Sequence, residues 1–265
     1  MLLEDLDLKI IPTNLLEIYK SNFDTTVPQI FESLHDSELS IDTFSFYTSV
    51  SAVFSSKIEG ENIEIDSFIK HKRFGTKYQP NYTTKIDDLY NAYLFAQQNK
   101  LSAKALENVH AQLTKSILHP SQQGKLRTGN MFVVTNDGKI EYVAASPDKV
   151  KTEMEKLCSD IETLLKAKLT FEEVFFFSSL LHLVFVKIHP FEDGNGRTSR
   201  LLEKWFLSEK LGPKAWFLQS ERHYYDNHRT YYSNIRRLGI EYDELNYMQA
   251  LPFLQMLPAS LMYKP

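Results

Sequence analysis

The feature that most constrains this chain is the run His189-Pro190-Phe191-Glu192-Asp193-Gly194-Asn195-Gly196-Arg197-Thr198-Ser199-Arg200, set between two apolar stretches. Length and apolarity make Phe171 to Ile188 a helix. Pro190 ends it and pushes His189 out of the α region, leaving a free imidazole at the helix end. Asp193-Gly194-Asn195-Gly196 predicts a tight loop, because glycine tolerates positive φ and lets backbone approach a ligand that a Cβ would block. From about Arg197 a second helix runs through Leu201, Leu202, Trp205 and Phe206, apolar at helical spacing. Unsatisfied N–H groups at such a helix start form an anion site. Arg197 and Arg200 stand in the first turn, where cations oppose the macrodipole unless an anion neutralises them. Two guanidinium forks beside one anion nest suggest a polyphosphate.

Other readings of the run fail on its context. Asn-Gly marks hairpins, but the flanks are helical rather than alternating. A dinucleotide fingerprint would need a glycine where Ser199 stands and a strand where a helix precedes. No Gly-Lys-Ser/Thr occurs, so a Walker loop is absent from the sequence. A lone histidine is more often structural, but in this company His189 reads as catalytic.

At these residues the chain resembles the Fic family, whose signature His-Pro-Phe-x-Asp/Glu-Gly-Asn-Gly-Arg-x-x-Arg is matched at every specified position from His189 to Arg200. The resemblance implies an all-α, Fic-type helical bundle with a small β-hairpin flap and an N-terminal helical extension. It implies an enzyme transferring a nucleoside monophosphate, usually AMP from ATP, to a protein Ser, Thr or Tyr hydroxyl. In that likeness His189 takes the hydroxyl proton and Asp193 holds Mg²⁺ bridging the α- and β-phosphates. Gly194, Asn195 and Gly196 cradle the phosphates, Arg197 meets the β-phosphate and Arg200 the γ-phosphate. The residue types suit these roles, since Mg²⁺ prefers carboxylate and phosphate oxygens and arginine offers planar forks. Some relatives carry lysine in place of Gly196 and transfer phosphate, so Gly196 favours nucleotidylation.

Upstream, Asp42 to Ile58 carries Phe46, Tyr47, Val50, Val53, Phe54 and Ile58, which predicts an amphipathic helix stopped by Gly60. Glu59 then stands at the unfavourable end of the helix dipole unless a cation faces it. Ser55-x-x-x-Glu59-Gly60 resembles the family's inhibitory motif, with Ser55 and Glu59 one turn apart on the same face. The resemblance implies that Glu59 pairs with Arg200 and displaces the γ-phosphate, giving an intramolecularly restrained enzyme.

Met131-Phe132-Val133-Val134 and Ile140-Glu141-Tyr142-Val143 flank Asp137-Gly138, a hairpin signal in otherwise helical surroundings. A lone hairpin has an unpaired edge that an extended target segment could extend. The resemblance, which includes the preceding Gly124-Lys125-Leu126-Arg127, sets this flap over the active site. Ser146-Pro147 is a helix start. Tyr224-Tyr225 and Tyr231-Tyr232 belong to one polar, aromatic helix, and the likeness assigns Tyr231 and Tyr232 to the adenine side. His110 and His182 lie on apolar faces and read as core.

In 265 residues, 43% hydrophobic and 13% aromatic, the chain can bury a full core. A net charge of −4 without a basic cluster argues against a nucleic-acid groove. The single Cys158 allows neither an internal disulfide nor a cysteine zinc site. Met1-Leu2-Leu3-Glu4-Asp5 is acidic where a signal peptide is basic, and Val174 to Val186 is too short to span a bilayer, so a cytoplasmic protein is expected. The expected layout is an N-terminal helical extension over 1–75, a Fic core over 85–240 and a tail over 241–265 that straps the surface or makes a subunit contact in a homo-oligomer. The expected partner is a protein with an acceptor hydroxyl, which includes the chain itself. Phosphocholine transfer, removal of AMP, or a nucleotide-responsive regulatory protein with negligible turnover are the alternatives.

Overall fold

The structure is a computed structural model describing residues 6–41, 44–78, 82–134 and 140–262. Its helices are α1 (Leu16–Ser21), α2 (Val27–Glu32), α3 (Phe46–Ile58), α4 (Ile65–Phe74), α5 (Thr84–Gln98) and α6 (Ala103–Leu113) before the sheet. After the strands β1 (Phe132–Val134) and β2 (Ile140–Val143) come α7 (Pro147–Lys166), α8 (Phe171–Ile188), α9 (Asn195–Leu211), α10 (Ser220–Asp226), α11 (His228–Arg236), α12 (Leu251–Leu254) and α13 (Met256–Met262). This is the helical architecture with a small antiparallel hairpin that the sequence led us to expect. No described helix is long and apolar enough to cross a membrane.

Helix α8 is the axis. Its start is fixed by a capping box, Thr170 accepting from the Glu173 N–H and Glu173 from the Thr170 N–H. Mostly apolar, it is buried along nearly its whole length, and α9 packs beside it. Phe171, Phe175 and Phe176 meet Tyr19, Phe23 and Phe31 from the N-terminal segment, with Tyr19 and Phe176 centroids 5.3 Å apart. Such aromatic contacts add about 0.5–1.5 kcal/mol each beyond simple burial. The buried Asp160 carboxylate accepts from the N–H groups of Lys9, Ile10 and Ile11 at 2.7–2.9 Å, tying that segment to α7.

Several boundaries differ from the expectations. Helix α9 begins at Asn195 rather than Arg197, because Gly194 takes the cap position at φ +79°. Helix α3 begins at Phe46 behind the cap Ser45, and Asp42 lies outside the described residues. Nor is α3 amphipathic: Thr48 to Ser56 are buried in succession, since α5, α9 and α10 enclose it. The tyrosine pairs fall on two helices, α10 and α11, interrupted at Asn227. The tail is no strap, as Phe253, Leu254, Met256 and Leu257 are buried in the same hydrophobic cluster as α8. The Asp137-Gly138 turn, Met1 to Asp5 and Pro265 also lie outside the described residues.

A buried ion pair holds α3 in place. Lys204 Nζ donates to Glu221 at 2.6 Å, to Ser51 Oγ at 2.7 Å and to the Leu218 carbonyl at 2.6 Å, while Tyr93 donates to Glu221 at 2.7 Å. Both charged side chains are fully enclosed. Lys204→Met should therefore cost about 3–5 kcal/mol in denaturant unfolding, because it strands a buried carboxylate. Lys204→Met combined with Glu221→Met should cost less than Lys204→Met alone. A larger loss in the double variant would contradict this account of the pair.

Candidate active site

His189 caps α8 in the left-handed region, φ 51° and ψ 60°, the single non-glycine residue with positive φ among those described. The Arg127 side chain stabilises this strained cap. Its Nε donates to the His189 carbonyl at 2.6 Å, its Nη1 to Gly129 at 2.6 Å, and its Nη2 to the carbonyls of Ala145 and Ile188. One side chain thus ties the end of α8 to both roots of the hairpin. The imidazole keeps part of its surface exposed, yet desolvation pushes its pKa down to about 4, which leaves the ring neutral near pH 7. Its Nδ1 faces the Tyr142 hydroxyl of β2 at 3.0 Å and the Val186 carbonyl at 3.3 Å.

The loop after His189 is braced from within and from below. Asn195 spends its side chain on the Phe191 backbone, accepting from the N–H at 2.9 Å and donating to the carbonyl at 2.8 Å. Its side chain therefore braces the loop from within. Buried His110 stacks on Phe191 at 3.6 Å, donates from Nε2 to the Asp193 carbonyl at 2.8 Å and accepts at Nδ1 from the Gly124 N–H at 2.9 Å. Desolvation lowers His110 to about 4, in keeping with that neutral tautomer. A Cβ on Gly194 would meet Thr114 Cγ2 at 2.7 Å, which, with the positive φ, explains the glycine.

Across the α9 N-terminus lies Glu59, the C-cap of α3. Its carboxylate accepts from Arg200 Nη2 at 2.6 Å, and a Cβ on Gly196 would collide with Glu59 Oε1. Arg200 is 1% exposed and donates further, through Nε to Ser55 Oγ at 2.9 Å, through Nη2 to the Ser55 carbonyl at 3.0 Å, and through Nη1 to Tyr231 at 3.3 Å. Burial alone would raise the Glu59 pKa, but Arg200 and Arg197 outweigh it and hold the carboxyl below its ordinary value. Arg200, which burial would lower, is held up chiefly by Glu59. Arg197 donates to Asp193 at 3.0 Å, and its buried Nε has no partner among the described residues. The Asp193 side chain is half-exposed, also accepts from the Gly194 N–H, and belongs to no cluster of three metal-binding side chains among the described residues.

Beside this centre runs a cleft of about 1290 Å³, lined by Glu59, Tyr232, His228, Arg229 and the flap residues Val133 and Val134. The two strands pair Phe132 with Val143 and Val133 with Tyr142, then shift register before Val134. Phe132, Val134 and Ile140 are at least half exposed, and Met131 anchors the base by accepting from the Ala144 N–H at 3.0 Å. Glu141 is clamped by both Nε and Nη2 of Arg236 on α11. Tyr231, by contrast, is buried behind Arg200 and does not line the cleft, so of the tyrosine pair only Tyr232 does. Sequence reasoning missed Tyr142 as the neighbour of His189 and read His110, which braces the loop, as plain core.

Residues 100–207 match the model of the Fic/DOC family. The chain is 27% identical over 140 residues to protein adenylyltransferase Fic of Nematostella vectensis and 29% identical over 140 residues to that of Aedes aegypti. Each match covers 51% of this chain, but only 29% and 26% of those longer proteins. A Fic family protein from Desulfovibrio desulfuricans superposes with a TM-score of 0.68 at 20% identity, covering 97% of this chain and 73% of that one. A Fic domain containing signaling protein from Bacteroides thetaiotaomicron gives a TM-score of 0.68 at 18% identity, over 94% and 91% of the two chains. The chain thus shares its fold with Fic family proteins, and the segment that matches the Fic/DOC family model runs through the His189 loop into α9.

Proposed function

We propose that this chain transfers AMP from ATP to a hydroxyl of a protein and that Glu59 restrains it in the conformation described. The observation that carries this reading is the Glu59 carboxylate at the α9 N-terminus, bonded to Arg200 and pressed against Gly196. An anion of the protein itself fills the place where a helix start and two arginines would otherwise receive phosphate. The names of the similar adenylyltransferases support the choice of reaction.

In this mechanism the neutral His189 ring accepts the proton of the acceptor hydroxyl. The hydroxyl oxygen bonds to the α-phosphorus, the bond to the α–β bridging oxygen breaks, and pyrophosphate leaves. The first-turn N–H groups of Asn195, Gly196 and Arg197 hold phosphate oxygens, and Arg197 and Arg200 offset the charge that shifts onto the leaving group. Asp193 suits Mg²⁺, being a half-exposed carboxylate beside the nest, and phosphate oxygens would complete the coordination. When bound, the ion would supply positive charge along the phosphate chain. The exposed face of the flap would hold an extended segment of the target by strand addition.

Incubation with labelled ATP, CTP, GTP and UTP tests the reaction. Label on protein, strongest from ATP, is expected, and nucleotide binding without transfer in both wild type and Glu59→Gly would overturn it. A narrower test concerns the metal. Asp193→Ala should abolish the Mg²⁺ dependence of nucleotide binding by calorimetry, whereas Glu192→Ala should not. The reverse pattern would move the ligand assignment to Glu192.

A further inference from the structure

Behind Arg200 lies a chain of buried polar groups that the proposed transfer step does not use. Arg200 Nη1 faces the Tyr231 hydroxyl at 3.3 Å, that hydroxyl faces His182 Nε2 at 2.9 Å, and His182 Nδ1 faces Glu203 Oε2 at 2.8 Å. Tyr224 donates to both Glu203 oxygens at 3.0 Å. All five side chains are at most 1% exposed. The ends constrain the directions of the bonds between them. Guanidinium can only donate and an ionised carboxylate can only accept. In the tautomer with the proton on Nδ1, His182 donates to Glu203, its Nε2 accepts from Tyr231, and the Tyr231 oxygen accepts from Arg200. Burial pushes Tyr231 up to about 12, so it keeps the proton this order requires.

The other hydrogen bonds that Arg200 donates among the described residues go to Ser55 and Glu59 at the end of α3. Tyr231 is the partner held from elsewhere, on α11, by a histidine of α8 and a glutamate of α9. We propose that Glu203, His182 and Tyr231 are positioning residues that aim the Arg200 guanidinium and thereby set the preference of this site for a nucleoside triphosphate over a diphosphate. The inference rests on the reading that Arg200 meets the γ-phosphate. With Glu59 withdrawn, the guanidinium loses its strongest partner, and the line from Glu203 keeps one edge of the fork fixed while the other turns to phosphate. A diphosphate does not reach that edge, so its binding is indifferent to the line.

The test measures ATP and ADP affinities by calorimetry in full-length Glu59→Gly protein, with Tyr231→Phe, Glu203→Gln or Arg200→Ala added. Tyr231→Phe removes one hydroxyl, and the expected result is a loss of about tenfold in ATP affinity with ADP affinity unchanged. Glu203→Gln should shift the ATP-to-ADP ratio the same way by a smaller factor. Equal losses for both nucleotides, or no loss, while Arg200→Ala still lowers the ratio, would overturn the positioning role. If Arg200→Ala leaves the ratio unchanged, the γ-phosphate reading beneath it fails.

Discussion

Alanine at position 189 is expected to lower transfer to protein by about 10²–10⁴-fold, measured in Glu59→Gly protein, while ATP affinity stays near its starting value. A general base contributes to the rate and little to ground-state binding. The His189 pKa of about 4 in the nucleotide-free protein sets the pH dependence. Only the neutral ring accepts a proton, so kcat/KM, which reports the free enzyme, should rise through about pH 4 and be flat from about pH 5 upward. A bound triphosphate brings negative charge beside the ring and raises its basicity, so the limb in kcat should lie at higher pH than the limb in kcat/KM. Near-native transfer by His189→Ala, or a kcat/KM profile still rising at pH 7, would show that another group takes the proton.

The central layers were legible in the sequence because their signals are local. Phe171–Ile188 matched to the residue, since a long, mostly apolar run and a following proline mark it. Ser146-Pro147 likewise marked the start of α7. The Ser55–Glu59 spacing was readable, and the geometry brings both residues to Arg200. The expectation for α3 went wrong because periodicity describes one helix face, whereas α3 is enclosed on all sides and fills its second face with Ser49, Ser51, Ser55 and Ser56. Small hydroxyl residues look like a solvent face in a sequence, but here they allow close helix approach and provide acceptors for Lys204 and Arg200.

What the sequence hid are the supports that cross long separations. His110 and His182 read as core, and both are fully buried, but a buried imidazole must satisfy two ring nitrogens. His110 spends them on the Asp193 and Gly124 backbone and so fixes the loop, while His182 spends them on Glu203 and Tyr231 behind Arg200. Arg127 stood beside the flap in the sequence, yet its bonds to the carbonyls of His189 and Ala145 depend on how the hairpin folds back over α8. Tyr231 was assigned to the nucleotide surface with Tyr232, and adjacency misled, because neighbours on a helix point about 100° apart. One lines the cleft and the other is buried behind it.

Glu59→Gly should raise self-modification and ATP turnover at least about tenfold over wild type, because it frees Arg200 and the space against Gly196 together. The substitution suits the backbone, since Glu59 already ends its helix and Gly60 follows at φ +90°. It also removes an ion pair whose arginine is 1% exposed and whose carboxylate is 28% exposed. Arg200 keeps its bonds to Ser55 and Tyr231, so the apo protein should lose only about 1–2 kcal/mol, reduced by solvent screening at the open carboxylate. The loss should depend on pH. The Glu59 pKa is lower in the folded protein than its ordinary 4.5, so its contribution is present in full above that value and disappears as pH falls through the folded value. Wild type and Glu59→Gly should therefore converge in stability in acid and separate near pH 7. ATP should restore part of the loss at neutral pH by binding the folded state, and more in the variant than in wild type. Adding Arg200→Ala to Glu59→Gly should cancel the gain in activity, because the freed arginine is what the carboxylate withheld. Activity of Glu59→Gly at the wild-type level under matched Mg²⁺ and ATP, or a double variant as active as the single one, would show that the contact between Glu59 and Arg200 is structural and restrains nothing.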